Sequence, residues 1–501
     1  MTSSRTLARN TVLNVLGQVV PMLAAVVAIP ILIQHLGASR FGVLTLAWAA
    51  IGYFNLFDLG LGRALTQIVA ARLGSEQESA ELTTVAWTAL ALMLLLGVLG
   101  GLVLAAVTPW IVRTGLNIPP SLIAESIGAF YLLAASLPFV VTTAGLRGLL
   151  EAHQQFGAAT ALRIPLALFT FIGPLLVLPF SNGLEPIVAL LLVGRAITWF
   201  AHLVVCLRRY DYLRTAFRLR RGVVGPLLRF GGWMTVSNVV SPIMAYLDRF
   251  LIGAILPLAA VAYYVTPYEL VTKLLVVPQA MVVAAFPAFA ASYASDPRRT
   301  AALFERTLRV VLLLMFPLLL TVVLFAREAL TLWVGASVAE QSTGVLQWLA
   351  VGVFINAMAQ APLVVLQSTG RPDLTAKLHL VELPLYLVAL WWLAQRYGIV
   401  GVAMAWSARA VVDAVALLML AARRVPDVPR QIRLALWTIV VVPAALGLAA
   451  LVEDVSLKVV VLTGGLALFG AFGWSYLVHP AERDGLRAWS RLTRGPSVPP
   501  S

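Results

Sequence analysis

The 501-residue sequence predicts an all-α, polytopic membrane protein with about fourteen transmembrane helices, and three observations carry that reading. Hydrophobic residues make up 60% of the chain and charged residues 12%, against about 25% charged in soluble domains. Apolar runs of the ~20 residues needed to cross a bilayer recur from one end to the other. Lysine and arginine also alternate in density from one connection to the next. Twenty-six lie on the side of the N-terminus and five (Arg40, Arg113, Arg327, Arg396 and Lys458) on the opposite face. By the positive-inside rule that asymmetry places both termini in the cytoplasm.

Taken in order, the predicted spans are roughly 11–34, 42–71, 84–112, 122–146, 160–181, 185–207, 230–255, 258–290, 308–333, 341–367, 375–395, 399–422, 434–452 and 457–478. Arg5 and Arg9 ahead of the first run resemble a secretory leader. The run is too long for one and leads directly into a second span, so an uncleaved first helix is expected. The first two spans meet at the turn His35-Leu36-Gly37-Ala38-Ser39-Arg40. The second carries Asp58 and Arg63 well inside it, about 140° apart around the helix, with Gly60 and Gly62 leaving a smooth strip beside them. The longest inner connection, Arg208–Arg229, holds seven arginines and one acid. It divides the chain into a six-helix bundle (1–207), a basic cytoplasmic linker (208–229), a second six-helix bundle (230–422) and two further helices with a tail (423–501). A faint repeat at a shift of 220, which sets Gln18-Val19-Val20 on Asn238-Val239-Val240, agrees with a parallel duplication. No outer connection is long enough to fold by itself, so binding has to occur among the helices.

The net charge of +14 is distributed over connections between spans, which argues for lipid contact and against nucleic acid as a partner. The lone Cys206 cannot form an intramolecular disulfide. The five histidines are scattered without ligand spacing, no phosphate-binding Gly-x-x-x-x-Gly-Lys loop occurs, and no nucleophile stands beside a base. No metal, cofactor or enzymatic activity is therefore expected, and energy would come from an ion gradient, the membrane potential or consumption of product outside.

A charge at membrane depth costs roughly 2.5–3.5 kcal/mol on insertion scales, so intramembrane ionisable residues are candidate functional groups. There are ten, five acids and five bases: Asp58, Arg63, Arg195, Asp248, Arg249, Glu269, Lys273, Glu382, Arg409 and Asp413. Glu269 with Lys273, and Arg409 with Asp413, have i, i+4 spacing for local pairs. Arg63, Arg195 and Arg249 either present positive charge to an interior cavity or pair across helices with Asp58, Asp248 or Glu382. Asp58, Asp248, Glu269, Glu382 and Asp413 are the carboxylates that can bind a coupling cation. Tyr53 and Tyr268 lie near the expected cavity, as do Phe54, Tyr263, Tyr264 and Trp406, where rings stack on sugars or simply pack.

Four early segments resemble the opening of bacterial polysaccharide transporters, the flippases of lipid-linked O-antigen and exopolysaccharide units. They are Asn14-x-x-Gly17-Gln18, Ile29-Pro30-Ile31-Leu32-Ile33, Leu36-Gly37-x-x-x-Phe41-Gly42 and Phe57-Asp58-Leu59-Gly60-Leu61-Gly62-Arg63-Ala64-Leu65. Looser similarity continues in Tyr246-Leu247-Asp248-Arg249-Phe250-Leu251-Ile252-Gly253 and Gln367-Ser368-Thr369-Gly370-Arg371-Pro372. The resemblance implies a V-shaped transporter of the multidrug/oligosaccharidyl-lipid/polysaccharide exporter superfamily, located in the bacterial inner membrane. It would move an undecaprenyl-diphosphate-linked oligosaccharide to the outer leaflet by alternating access, alongside a polysaccharide polymerase and chain-length proteins. Arg63, Arg195, Arg249 and Lys273 suit the diphosphate, since arginine offers paired donors and a permanent charge. A drug exporter of the same superfamily and a membrane-embedded enzyme of polysaccharide assembly are the alternatives.

Overall fold

Glycine placement decides where the long apolar runs of this chain turn. In the computed structural model the described residues are 4–54, 58, 60–73, 79–215, 219–220, 222, 224–225, 244, 246–368, 371–423 and 429–477, and among them there is no strand. The helices are α1 (Ser4–Phe54), α2 (Leu61–Arg72), α3 (Ser79–Trp110), α4 (Ile123–Ala152), α5 (Phe156–Val177), α6 (Leu184–Arg209) and α7 (Tyr212–Thr215). Next come α8 (246–255), α9 (Ala259–Val271), α10 (Val276–Ser295), α11 (Pro297–Leu324), α12 (Ala326–Val334) and α13 (Ala336–Ser368). The last three are α14 (Pro372–Ala422), α15 (Pro429–Ala450) and α16 (Val455–Phe472).

Eleven helical stretches among the described residues are long and apolar enough to cross a membrane. Fourteen were expected; two pairs of them run on as single helices, and one lies mostly outside the described residues. Spans one and two are joined in α1 through Gly37 (φ 74°, ψ 162°), and spans eleven and twelve in α14 through Gly398 (φ 58°, ψ −141°). Both glycines take positive φ, which L side chains rarely adopt, so each breaks its helix in two with almost no connecting residues. Most of the seventh span, much of the basic linker, Phe57, Leu59 and the tail from 478 fall outside the described residues.

Two further departures bear on the site. The second span is not one helix: α1 ends at Phe54 and α2 starts at Leu61, so the 140° relation between Asp58 and Arg63 does not hold. The eighth span is interrupted by a 3-10 turn, Thr272–Leu275, between α9 and α10. Tighter turns of this kind inside a span often mark a hinge.

The chain divides into two compact units. One comprises Met1–Lys273, Leu330–Val345 and His379–Ala405; the other comprises Leu274–Ala329, Leu346–Leu378 and Trp406–Ser501. In the first unit α4 is central, flanked by α2, α3 and α6, around a core that includes Leu65, Val85, Met93, Leu149 and Cys206. Small residues let its backbones close up, as membrane helices without a hydrophobic drive between them require. A Cβ on Gly97 would lie 2.7 Å from the Pro138 Cα, and one on Gly101 2.7 Å from the Ala134 carbonyl oxygen. Leu102 and Val103, on the other side of α3, are exposed as a lipid-facing surface would be.

In the second unit α11 packs on α10, α15 and α16, with Phe316 and Phe469 4.5 Å apart between ring centres. Lys458, near the start of α16, is buried, its Nζ 2.7 Å from Glu328 Oε1. The last helix is therefore fastened by an ion pair as well as by apolar contact.

Candidate functional site

The Asp58-x-Gly60-x-Gly62 segment proves to be a helix start. Gly60 stands at the head of α2 in the left-handed conformation (φ 71°), and Asp58 Oδ1 accepts the Gly60 N–H at 2.7 Å. A carboxylate at a helix N-terminus satisfies amides with no partner inside the helix and lies favourably in the helix dipole. Gly62 meets α4 closely: an added Cβ would be 3.2 Å from Asp58 Oδ2 and 3.4 Å from the Ala144 carbonyl oxygen. Thr66 Oγ1 tightens the same contact by donating toward the carbonyls of Gly62 (2.9 Å) and Gly148 (3.1 Å). Arg63, the next residue after this packed strip, is exposed.

Seven of the sequence-selected residues come together where α1, α8 and α9 meet in the first unit. Tyr53, near the end of α1, makes an edge contact with Tyr246 and a tilted one with Phe250 of α8, at 5.9 and 5.6 Å between ring centres. Its buried hydroxyl has no hydrogen-bond partner among the described residues. Asp248 is 1% exposed and accepts from the Tyr264 hydroxyl at 2.7 Å and from the Arg249 backbone N–H at 2.8 Å. Arg249 lies between two rings, its guanidinium carbon 5.1 Å from the centres of both Tyr246 and Tyr268. At such distances a guanidinium is attracted to the faces of the rings.

The arginine's ionic partner corrects the sequence reading, which left it facing a cavity or paired with Asp58, Asp248 or Glu382. Arg249 Nη2 instead donates to Glu269 Oε1 at 2.9 Å, twenty residues further along the chain. The other oxygen of Glu269 receives Lys273 Nζ at 3.1 Å, the expected i, i+4 pair. One carboxylate thus bridges two cations. Side-chain exposure rises along the row, from 4% at Arg249 through 17% at Glu269 to 42% at Lys273. The buried end is Asp248 and Arg249, and the open end is Lys273, on the 3-10 turn.

The remaining candidates stand apart from this group. Arg195, in the middle of α6, is 6% exposed. Among the described residues its sole hydrogen-bond partner is the Leu191 carbonyl on the preceding turn, 3.1 Å from Nη1. Glu382 and Asp413 are buried along α14. Trp406 lies under the Arg409 guanidinium, 5.9 Å from ring centre to carbon.

Two features had no sequence signal. Asn117, after α3, holds the outgoing end of α8: its backbone N–H donates to the Gly253 carbonyl at 2.7 Å and Nδ2 to that of Ala254 at 3.0 Å. At the other end of the unit, the His153 ring stacks on Tyr210 at 3.9 Å, with Tyr212 at 5.9 Å. His153 Nδ1–H donates to the Leu149 carbonyl at 2.9 Å. Partial burial holds the His153 pKa below its ordinary value, against the opposing pull of that hydrogen bond. Burial likewise pushes Tyr210 up to about 12.

Comparison with known proteins places this architecture. The chain is 31% identical over 428 residues to a Shigella flexneri protein described as an O-antigen transporter, covering 83% of this chain and 97% of that protein. Among solved structures it resembles an inward-facing multidrug-resistance MATE transporter of the MOP superfamily, with a TM-score of 0.71 at 16% identity, over 82% of this chain and 96% of that one. It also resembles the lipid II flippase MurJ in its inward-closed conformation, with a TM-score of 0.67 at 12% identity, over 94% and 100% of the two chains. Residues 7–292 match the family model described as "Polysaccharide biosynthesis protein", and the chain belongs to that family, with the fold of the MOP superfamily.

Proposed function

We propose that this chain is a flippase that moves a lipid-linked oligosaccharide, carried on an undecaprenyl-diphosphate-type anchor, from the inner to the outer leaflet of the bacterial cytoplasmic membrane by alternating access. The observation that carries this reading is Arg195. It is a permanently charged group buried in a membrane helix, with only a carbonyl for company among the described residues. A lone buried cation is costly unless an anion visits it. In a family tied to polysaccharide biosynthesis, a saccharide's diphosphate is the natural visitor. Arg249 and Lys273 supply further positive charge at a second site, and Tyr53 and Tyr268 offer ring faces to sugars. The prenyl tail would remain in lipid throughout.

The same reading takes both termini as cytoplasmic. It keeps the two six-helix bundles (1–207 and 230–422) as the moving parts, with Asp58, Asp248, Glu269, Glu382 and Asp413 as the carboxylates available to a coupling cation. Arg63 remains a candidate contact from the start of α2. A polysaccharide polymerase and chain-length proteins would act on the product outside.

The test is genetic and chemical. Cells lacking the chain should accumulate lipid-linked saccharide on the inner leaflet, and the wild type should clear it. Arg195→Met and Arg249→Gln, at matched membrane levels, should not. Normal export by Arg195→Met, or export of uncharged drugs with no effect on lipid-linked saccharide, would refute the assignment.

A further inference from the structure

The Arg249–Glu269–Lys273 row raises a question of charge. Together with Asp248 these side chains sum to zero when all are ionised, so a diphosphate approaching Arg249 meets no net attraction. Both oxygens of Glu269 are already engaged, one on Arg249 and one on Lys273, at 2.9 and 3.1 Å. These are the contacts an anionic headgroup would make. Arg249 is held on both sides by Tyr246 and Tyr268, and its buried Nε has no hydrogen-bond partner among the described residues, so one donor stays unused there while Glu269 is bound. The exposure gradient gives access from the Lys273 end, across Glu269, to Arg249.

We propose that Glu269 is the resident counter-ion of the second site, at Arg249, which a diphosphate displaces while the carboxylate takes up one proton. This rests on the flippase reading above. An ionised Glu269 left beside two phosphates would repel them, and two carboxylate-like anions within a few ångströms hold a proton between them. Protonation gives the four side chains a net charge of +1 and frees Arg249 and Lys273 together. The proton comes from water at the open end and binds a Glu269 oxygen; no other bond changes. The titratable and charged groups facing Glu269 are Arg249 and, beyond it, Tyr246 and Asp248 from α8, with Tyr268 and Lys273 from its own segment.

The experiment uses the full chain in detergent micelles with CDP-diacylglycerol, whose diphosphate diester has no group titrating near neutrality, and diacylglycerol as control. Calorimetric titration in two buffers of different ionisation enthalpy counts protons. The expected result is about one proton taken up per probe by the wild type, with affinity rising as pH falls. Glu269→Gln should bind roughly tenfold more tightly or better, with no proton uptake and no pH dependence. Zero uptake by the wild type, or pH dependence retained in Glu269→Gln, overturns the proposal. Should that variant fail to fold, the wild-type proton count decides alone. If the wild type does not distinguish the probe from diacylglycerol, and Arg195→Met changes nothing, the flippase reading itself fails. Arg195-dependent binding without proton uptake sinks only the role of Glu269.

Discussion

Replacing Arg195 by methionine separates a binding role from a structural one, because the two make opposite predictions for stability. The guanidinium is 6% exposed, and among the described residues its hydrogen bonding is confined to the Leu191 carbonyl, 3.1 Å away on its own helix. A hydrogen bond from a charged donor contributes about 1.5–3 kcal/mol. Desolvating an ion without a counter-charge costs several kcal/mol even after relaxation, so the cost exceeds the gain. Methionine fills similar space without charge and adapts to irregular gaps. Arg195→Met should therefore leave unfolding unchanged or shift it up by about 1–3 kcal/mol. Transport should fall roughly 10- to 150-fold, the equivalent of one charged hydrogen bond. Lysine keeps the charge but loses the paired donors, so Arg195→Lys should retain part of the activity. Thermal unfolding in detergent and clearance of lipid-linked saccharide, each normalised to membrane protein, give the two readouts. A variant that unfolds several kcal/mol more easily, and loses transport only in proportion to its folded fraction, would refute the binding role.

Gly60→Ala forces a side chain into the left-handed region at the head of α2 and should cost about 1–2 kcal/mol, read as a lower unfolding temperature. Asn117→Ala removes the Nδ2 bond to the outgoing end of α8. Water can replace a partner at that exposed position, so the loss should sit near 0.5 kcal/mol. It should appear as faster amide exchange at the end of α8 with little change elsewhere. His153 has a folded pKa below its unfolded value of about 6.5, so the unfolded chain binds the proton first. Stability should hold above that pH and fall as pH drops through it toward the folded pKa, while His153→Phe, which keeps a stacking ring, should flatten the slope.

Much of the fold is legible from local signals. Chain reversals need glycine where almost no residues are available for a loop, and the breaks at Gly37 and Gly398 fall at the expected span boundaries. Glu269 and Lys273 pair because i, i+4 spacing puts them on one face of the chain, which any helical reading exposes. The break between α1 and α2 is not visible in the same way. Residues 52–65 are apolar enough to continue a helix, and only the combination of Asp58 as amide acceptor with Gly60 in positive φ reveals a new start. The 3-10 turn at Thr272–Leu275 is equally hidden, since hydropathy does not distinguish one tight turn from an α-helical one.

The ionic partner of Arg249 was illegible for a deeper reason. Sequence spacing ranks acids by nearness along the chain, and Asp248 is adjacent. Adjacent side chains on a helix diverge by about 100°, however, so the adjacent acid cannot take the guanidinium head-on. Asp248 turns to Tyr264, and the cation crosses to α9 and meets Glu269. Once that crossing is made, the free acid of the neighbourhood and the free cation have both been used. Lys273 then matters for its position at the open end of the row, more than for its charge, which Glu269 already balances in part. The consequence is directional. A ligand arriving from the Lys273 side has to compete first with a carboxylate, and only afterwards reaches the buried guanidinium. On the reading proposed above, a site arranged in that order would select for anions strong enough to unseat Glu269, which favours a dianionic diphosphate over a monoanionic phospholipid headgroup.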